Sequence, residues 1–252
     1  MTATTAPALT TRTRARTSPT LHVARRQGVA ALRLAAWFWP IALLALAAVT
    51  ATAWVVAGRV DVSIAVHGRQ ALVWFLFSQA IQVAATYPRV HVAAGMTRRS
   101  LVRGTLLASG ATGVAYALVL TGVVLLERWL HGLAGWGSVL REIQLAGADA
   151  PPWALPVDTV VLTLLAITTG LLVGITYQRW GAWATLTLPL TVGPLLALLY
   201  LGIAPTGDVP GLGQIAPRAL VGLVGVVGVV VVLAVAAAFA VIARRLPLSA
   251  QA

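Results

Sequence analysis

Residues 159–177 read TVVLTLLAITTGLLVGITY, nineteen residues without a charge or a proline. At 1.5 Å per residue, a helix of that length covers roughly 28 Å, about the thickness of the hydrocarbon core of a bilayer. Its apolarity is continuous and does not alternate with period two, so it predicts a membrane-crossing helix and not a barrel strand. Five more runs of this kind stand on either side, at residues 34–57, 71–87, 104–126, 182–204 and 219–243. The predicted fold class is therefore all-α: a polytopic integral membrane protein with six transmembrane helices. Composition agrees, since 59% of the 252 residues are apolar, 10% are charged and the mean hydropathy is +0.90. A single soluble core could not bury that much apolar surface.

All 18 basic residues are arginines, and their placement predicts an orientation. If the N-terminus lies in the cytoplasm, the inner segments 1–33, 88–103, 178–181 and 244–252 hold 13 arginines. The outer loops then hold five: Arg59, Arg69, Arg128, Arg141 and Arg218. That asymmetry follows the positive-inside rule and places both termini inside the plasma membrane's cytoplasmic face. Asp61, Glu127, Glu142, Asp149, Asp158 and Asp208, all the acidic residues, fall in the outer loops.

The ends extend the domain plan. Residues 1–20 are mostly Thr, Ala, Arg, Pro and Ser and predict a disordered basic tail. Residues 21–33 can form a helix with Leu21, Ala24, Val29 and Leu32 on one side, Arg26 and Arg33 off it, and Arg25 snorkelling from within the stripe. It either lies along the inner membrane surface against anionic lipids or is a solvated basic lead-in to the first span. The pair Arg25-Arg26 is similar to a twin-arginine export signal, but the apolar stretch after it is too long and five more spans follow. Residues 34–243 form the six-helix transmembrane domain, and 244–252 a cytoplasmic tail.

Between the second and third runs stands YPRVHVAAGMTRRSLVRG, residues 87–104. Pro88 reads as the end of a helix or the first residue of a new turn, Gly95 as a helix stop and Thr97 as the cap of the third span. The result is a short helix at about 88–99, with Val90, Ala93 and Ala94 on one face. On charge alone, an ordinary loop whose arginines only hold topology is the simpler reading. The segment also resembles the permease subunits of ABC transporters, in particular type 2 exporter permeases of actinobacterial kind. The elements that carry the resemblance are Tyr87-Pro88, Ala93-Ala94 and Gly95-Met96-Thr97-Arg98-Arg99. It implies that 88–99 is a coupling helix whose Arg89, His91, Arg98 and Arg99 dock a separate ATP-binding subunit. It further implies that residues 20–33 are an elbow helix, and that permease subunits pair as a homo- or heterodimer.

Absences narrow the chemistry. Without lysine a standard phosphate loop is impossible, so ATP hydrolysis has to come from a partner and the chain itself is not expected to be an enzyme. The four histidines, 22, 67, 91 and 131, sit in separate non-membrane segments and there is no cysteine. No metal site, cofactor or catalytic group is therefore expected. The positive charge is spread between spans without a binding module, which argues against nucleic acid. None of the six runs contains an ionisable residue other than tyrosine, which disfavours proton- or sodium-driven transport. Glu127 and His131 read as an ordinary exposed pair one helical turn apart.

The remaining features concern packing. Gly170 and Gly174, and Gly222, Gly225 and Gly228, form small-residue faces for contact within the bundle or between subunits. Pro189 and Pro194 should bend the fifth span. Ser78, Gln79 and Gln82 share a face and, with Tyr116, either line a route for an amphipathic substrate or bond between helices. A short helix is expected near 136–145 in the loop 127–158, and the loop 205–218 is unassigned.

Overall fold

The computed structural model describes residues 18–60, 62–136, 152–201 and 217–246. The expected basic tail, the helix near 136–145, the loop 205–218 and the C-terminal tail fall wholly or mostly outside these residues. Six α-helices and no strand occur among the described residues: α1 (Pro19–Ala57), α2 (Ile64–Ala93), α3 (Arg98–Leu133), α4 (Ala154–Trp180), α5 (Leu188–Leu201) and α6 (Pro217–Arg244). A 3-10 segment, Gly181–Thr187, joins α4 to α5. Four stretches are long and apolar enough to cross a membrane: Pro19–Ala57, Arg98–Leu133, Ala154–Tyr200 and Val221–Arg244. The chain thus has the character of a multi-pass membrane protein. α2 contains the expected second run but is not one of the four, because Ser78, Gln79 and Gln82 dilute its apolarity.

The bundle is built around α4. Apolar residues surround this helix on every side, which suits cover by lipid or by other helices alike, and here helices cover it, with Gly170 and Gly174 admitting α2 closely. α2, α3, α5 and α6 all pack against it. Most of its buried threonines do not spoil the burial, because their hydroxyls return to the helix's own carbonyls: Thr163 Oγ1 donates to Thr159 O at 2.9 Å and Thr168 Oγ1 to Leu164 O at 2.8 Å, whereas Thr169 Oγ1 has no partner among the described residues. Thr163 also reaches Gly113 O on α3 at 3.0 Å, and the Thr121 and Thr159 hydroxyls meet at 2.8 Å.

α1 is the peripheral helix. Ser18 caps it by accepting from Leu21 N, Pro19 occupies its first turn, and Gly58 at φ 71° ends it. It runs through residues 33 and 34 without a break, so residues 21–33 are not a separate helical element. The face it packs on the bundle carries Val23 and Gln27, both buried, while Leu21, Val29 and Leu32 of the apolar stripe stay exposed. Close approach to α3 decides this. A β-carbon on Gly104 would lie 2.6 Å from Val23 Cβ, and Gln27 Nε2 donates to Thr105 Oγ1 at 3.0 Å.

The fifth helix is shorter than the 23 residues of the apolar run 182–204. Gly181 at φ 57° ends α4, and the chain then passes through the 3-10 segment before α5 begins at Leu188. Pro189 is therefore the second residue of α5, where its missing N–H has no intrahelical partner to lose, and does not bend a span. Pro194 does lie inside the helix.

Candidate functional site

The arginine-rich segment folds as a tight turn between two long helices. α2 continues through Pro88 to Ala93, and Gly95 at φ 71° supplies the left-handed residue that ends it. Met96 N donates back to His91 O at 3.2 Å, closing the end as a Schellman-type bond. Thr97, extended at φ −76° and ψ 145°, starts α3 by accepting from Ser100 N at 3.2 Å. Residues 88–99 are thus the last turn of α2, a four-residue connection and the first residues of α3. The expected single short helix is replaced because a helix that enters Pro88 loses one backbone bond, whereas Gly95 can leave it without strain.

The four residues assigned to docking separate into three environments. Arg89 and Arg99 are exposed, as are Val90 and Ala94. Arg98 is half-buried and donates from Nη1 to Arg244 O at 3.2 Å. Arg179 at the end of α4 donates similarly to Arg245 O at 3.3 Å, and its guanidinium lies 5.3 Å from the Trp180 ring centroid. Two arginines therefore hold the carboxyl end of α6, where unpaired carbonyls and the helix dipole favour a cation. His91 is buried, with Nε2 3.2 Å from Ser100 Oγ. It turns into the connection and does not face outward.

Burial pushes the His91 imidazole below its ordinary value of 6.5, and the nearby His22 acts in the same direction against a hydrogen bond at Thr97. Above 6.5 His91 is neutral in folded and unfolded chain alike. As pH falls below 6.5, the unfolded chain takes up the proton first, so stability drops until the folded value is reached. Acidification is expected to lower the hydrogen-exchange protection factors of the 91–100 connection, that is, the intrinsic exchange rates, themselves slower at lower pH, divided by the observed ones. In His91→Gln, which can still bond Ser100, that acid-dependent loss of protection should disappear, and a slope equal to that of the parent would assign it to another group.

A second polar cluster lies where α2 and α4 begin and α3 ends. Glu127, expected on the surface, is buried and bonds to the start of α2. Its carboxylate accepts from Ile64 N at 2.8 Å, from Ala65 N at 3.2 Å and from the Ser63 hydroxyl. The first N–H groups of α2 have no intrahelical acceptor and no acidic residue in their own turn, so Glu127 satisfies them from 63 residues away. His131 is buried too and stands edge-on to Trp136 at 5.1 Å between centroids. Arg69 on α2 and Asp158 on α4 form an ion pair at 3.1 Å with both side chains 4% exposed. These ionisable groups belong to helices and not to loops, which revises the expectation drawn from the six apolar runs. Arg69 Nε and Nη2 have no partner among the described residues.

The weakly polar face of α2 is divided. Ser78 and Gln82 are exposed, whereas Gln79 turns inward onto a cavity of about 30 Å³ shared with Gln27, Ser109 and Thr112. Tyr116 is buried elsewhere, 5.5 Å from the Trp39 ring and 6.3 Å from Phe75. The glycines are divided as well. Gly170 and Gly174 meet α2, with Ile81 O only 2.7 Å from where a Gly174 β-carbon would stand. Gly225 and Gly228 meet Val157 and Val161 of α4, while Gly222 faces open space. No family model, curated protein or solved structure matches this chain.

Proposed function

We propose that this chain is the membrane-spanning permease subunit of an ATP-driven exporter of the ABC class. It crosses the plasma membrane six times with both termini in the cytoplasm, pairs with a second permease subunit, and takes its energy from a separate ATP-binding subunit. The observation that carries the reading is the α2–α3 connection, capped on both sides, with Arg89 and Arg99 exposed beside Val90 and Ala94. A capped, cationic and partly apolar connection that joins two long helices can receive a push from a partner and pass it along both. The missing lysine agrees with hydrolysis elsewhere. The rival reading is a non-transporting scaffold whose arginines only set topology. It draws on Arg98, which is engaged inside the chain.

The test is co-expression with an ATP-binding subunit encoded alongside this chain. The parent is expected to co-purify with it and to stimulate ATP hydrolysis. Arg89→Glu with Arg99→Glu should weaken co-purification by more than about tenfold, since reversing charges that meet carboxylates across an interface costs several kcal/mol. Both changes also remove positive charge from an inner segment. Orientation is therefore checked in this cysteine-free chain with single cysteines at Ala94 and Ser138, of which only the latter should react with an impermeant maleimide from outside. Correct insertion with undiminished co-purification and hydrolysis would leave the arginines as topological anchors.

A further inference from the structure

Below the middle of α1, on its seam with α2, lies a cleft of about 400 Å³ lined by His22, Arg25, Arg26, Arg33 and Tyr87. The three arginines are exposed and have no hydrogen-bond or ion-pair partner among the described residues. One residue beyond Arg33 begins a second space of about 570 Å³, which extends from Leu34 to Val49 on α1 and is walled by Ile41, Leu46, Leu72 and Phe75. Fifteen helical steps separate Leu34 from Val49, roughly 22 Å, which exceeds the about 15 Å from the edge of the hydrocarbon core to its centre. One helix thus carries a cationic cleft and, directly after it, an apolar groove as long as one leaflet is deep.

We propose that this seam is a binding site for an anionic phospholipid, its phosphate in the arginine cleft and one acyl chain in the groove. The proposal rests on the chain spanning a membrane with residues 22–33 at the inner surface, and not on the exporter reading. Guanidinium groups bind phosphate oxygens in a bidentate fork, and a basic recess between helices at headgroup depth draws anionic lipid from the inner leaflet. The groove alone would suit a second copy of this chain. The cleft would not be answered by one, because all six acidic residues fall in segments assigned to the opposite end. A lipid supplies both the anion and the apolar tail.

The full chain is purified in detergent, incubated with phosphatidylglycerol or phosphatidylcholine, and analysed by native mass spectrometry. Phosphatidylglycerol is expected to remain bound at one molecule per chain and phosphatidylcholine to dissociate. Arg25→Gln, Arg26→Gln and Arg33→Gln together should weaken retention by roughly 100-fold, and Ala42→Trp, which fills the groove and leaves every arginine in place, should also release the lipid. Arg33→Gln alone provides a milder variant, expected to show a partial loss. Insertion and orientation are confirmed for each by the maleimide labelling above, so a failure of the membrane reading is seen separately. Equal retention of the two lipids, unchanged retention in the triple variant or in Ala42→Trp, or displacement of phosphatidylglycerol by inorganic phosphate alone would overturn the proposal. So would conversion of a dimer to a monomer by Ala42→Trp with lipid still bound, since the groove would then belong to a second copy.

Discussion

Asp158→Asn is expected to remove most of the folded protein, while replacing both members of its pair, Arg69→Met with Asp158→Leu, is expected to recover it. The pair lies at 3.1 Å with both side chains almost fully covered, joining α2 to the central helix α4. Removing one partner from a buried pair destabilises by about 3–5 kcal/mol, because the other charge is left without compensation. Removing both and filling the space with apolar side chains of similar volume is often neutral or stabilising. The two single variants should also differ. A guanidinium cannot lose its proton, so Asp158→Asn leaves a fixed cation in an apolar setting, whereas the carboxyl left by Arg69→Met can take up a proton and become neutral. The order of apparent melting temperature in one detergent is expected to be parent and double variant highest, Arg69→Met next and Asp158→Asn lowest. A double variant as unstable as Asp158→Asn would show that the pair does more than cancel its own charges.

The features that could be read from the chain are those whose cause is local. That α4 lacks a polar face is one of them, but α6 lacks one too and stays largely exposed, so the central place of α4 is set by its neighbours. Gly95 and Thr97 act as stop and cap because left-handed backbone and side-chain capping need only the residues themselves and their near neighbours. The misread features depend on distant partners. Glu127 accepts from Ile64 and Ala65, and Arg98 donates to residue 244, 146 positions away. No spacing rule along one helix announces such a partner. The break expected at Pro88 does not occur for a different reason: proline weakens a helix by one bond but does not compel it to end, and Ala84, Pro88 and His91 keep one face buried across it. For residues 21–33 the apolar stripe is legible in the sequence, whereas the unbroken run into the first span and the contact with α3 are not. Val23 and Gln27 won the contact with α3 because Gly104 admits them closely, and Leu21 and Leu32 were left facing outward.

Gly170→Leu with Gly174→Leu is expected to separate α2 from α4, and the same change at Gly222 to do almost nothing. Five glycines look alike in the sequence, as small residues three or four apart on apolar helices, but their surroundings differ. A β-carbon on Gly174 would lie 2.7 Å from Ile81 O and 2.8 Å from Ala84 Cβ, and one on Gly170 would collide with Phe77 O and stand 2.8 Å from Ala80 Cβ. Two of these obstacles are backbone carbonyls of a helix, which cannot rotate away as a flexible side chain can. Larger residues there must push the two helices apart along the seam that holds the centre of the bundle. Overpacking of this kind costs about 1–3 kcal/mol at each site, and because the two sites share one seam, a shift forced at one eases the clash at the other and the pair costs less than the sum. At Gly222 nothing stands within 4 Å, and alanine in place of glycine inside a helix favours the helix by about 0.5–1 kcal/mol. Gly222→Ala is therefore expected to raise the melting temperature slightly, while Gly174→Ala lowers it. A disulfide readout keeps the result specific: cysteines at Ala80 and Thr169, on the facing helices, should cross-link less in the double leucine variant than in the parent. If cross-linking and melting are both unchanged, the close approach of α2 and α4 is wrong; if Gly222→Ala is as damaging as Gly174→Ala, that face of α6 is covered by something beyond this chain's own helices.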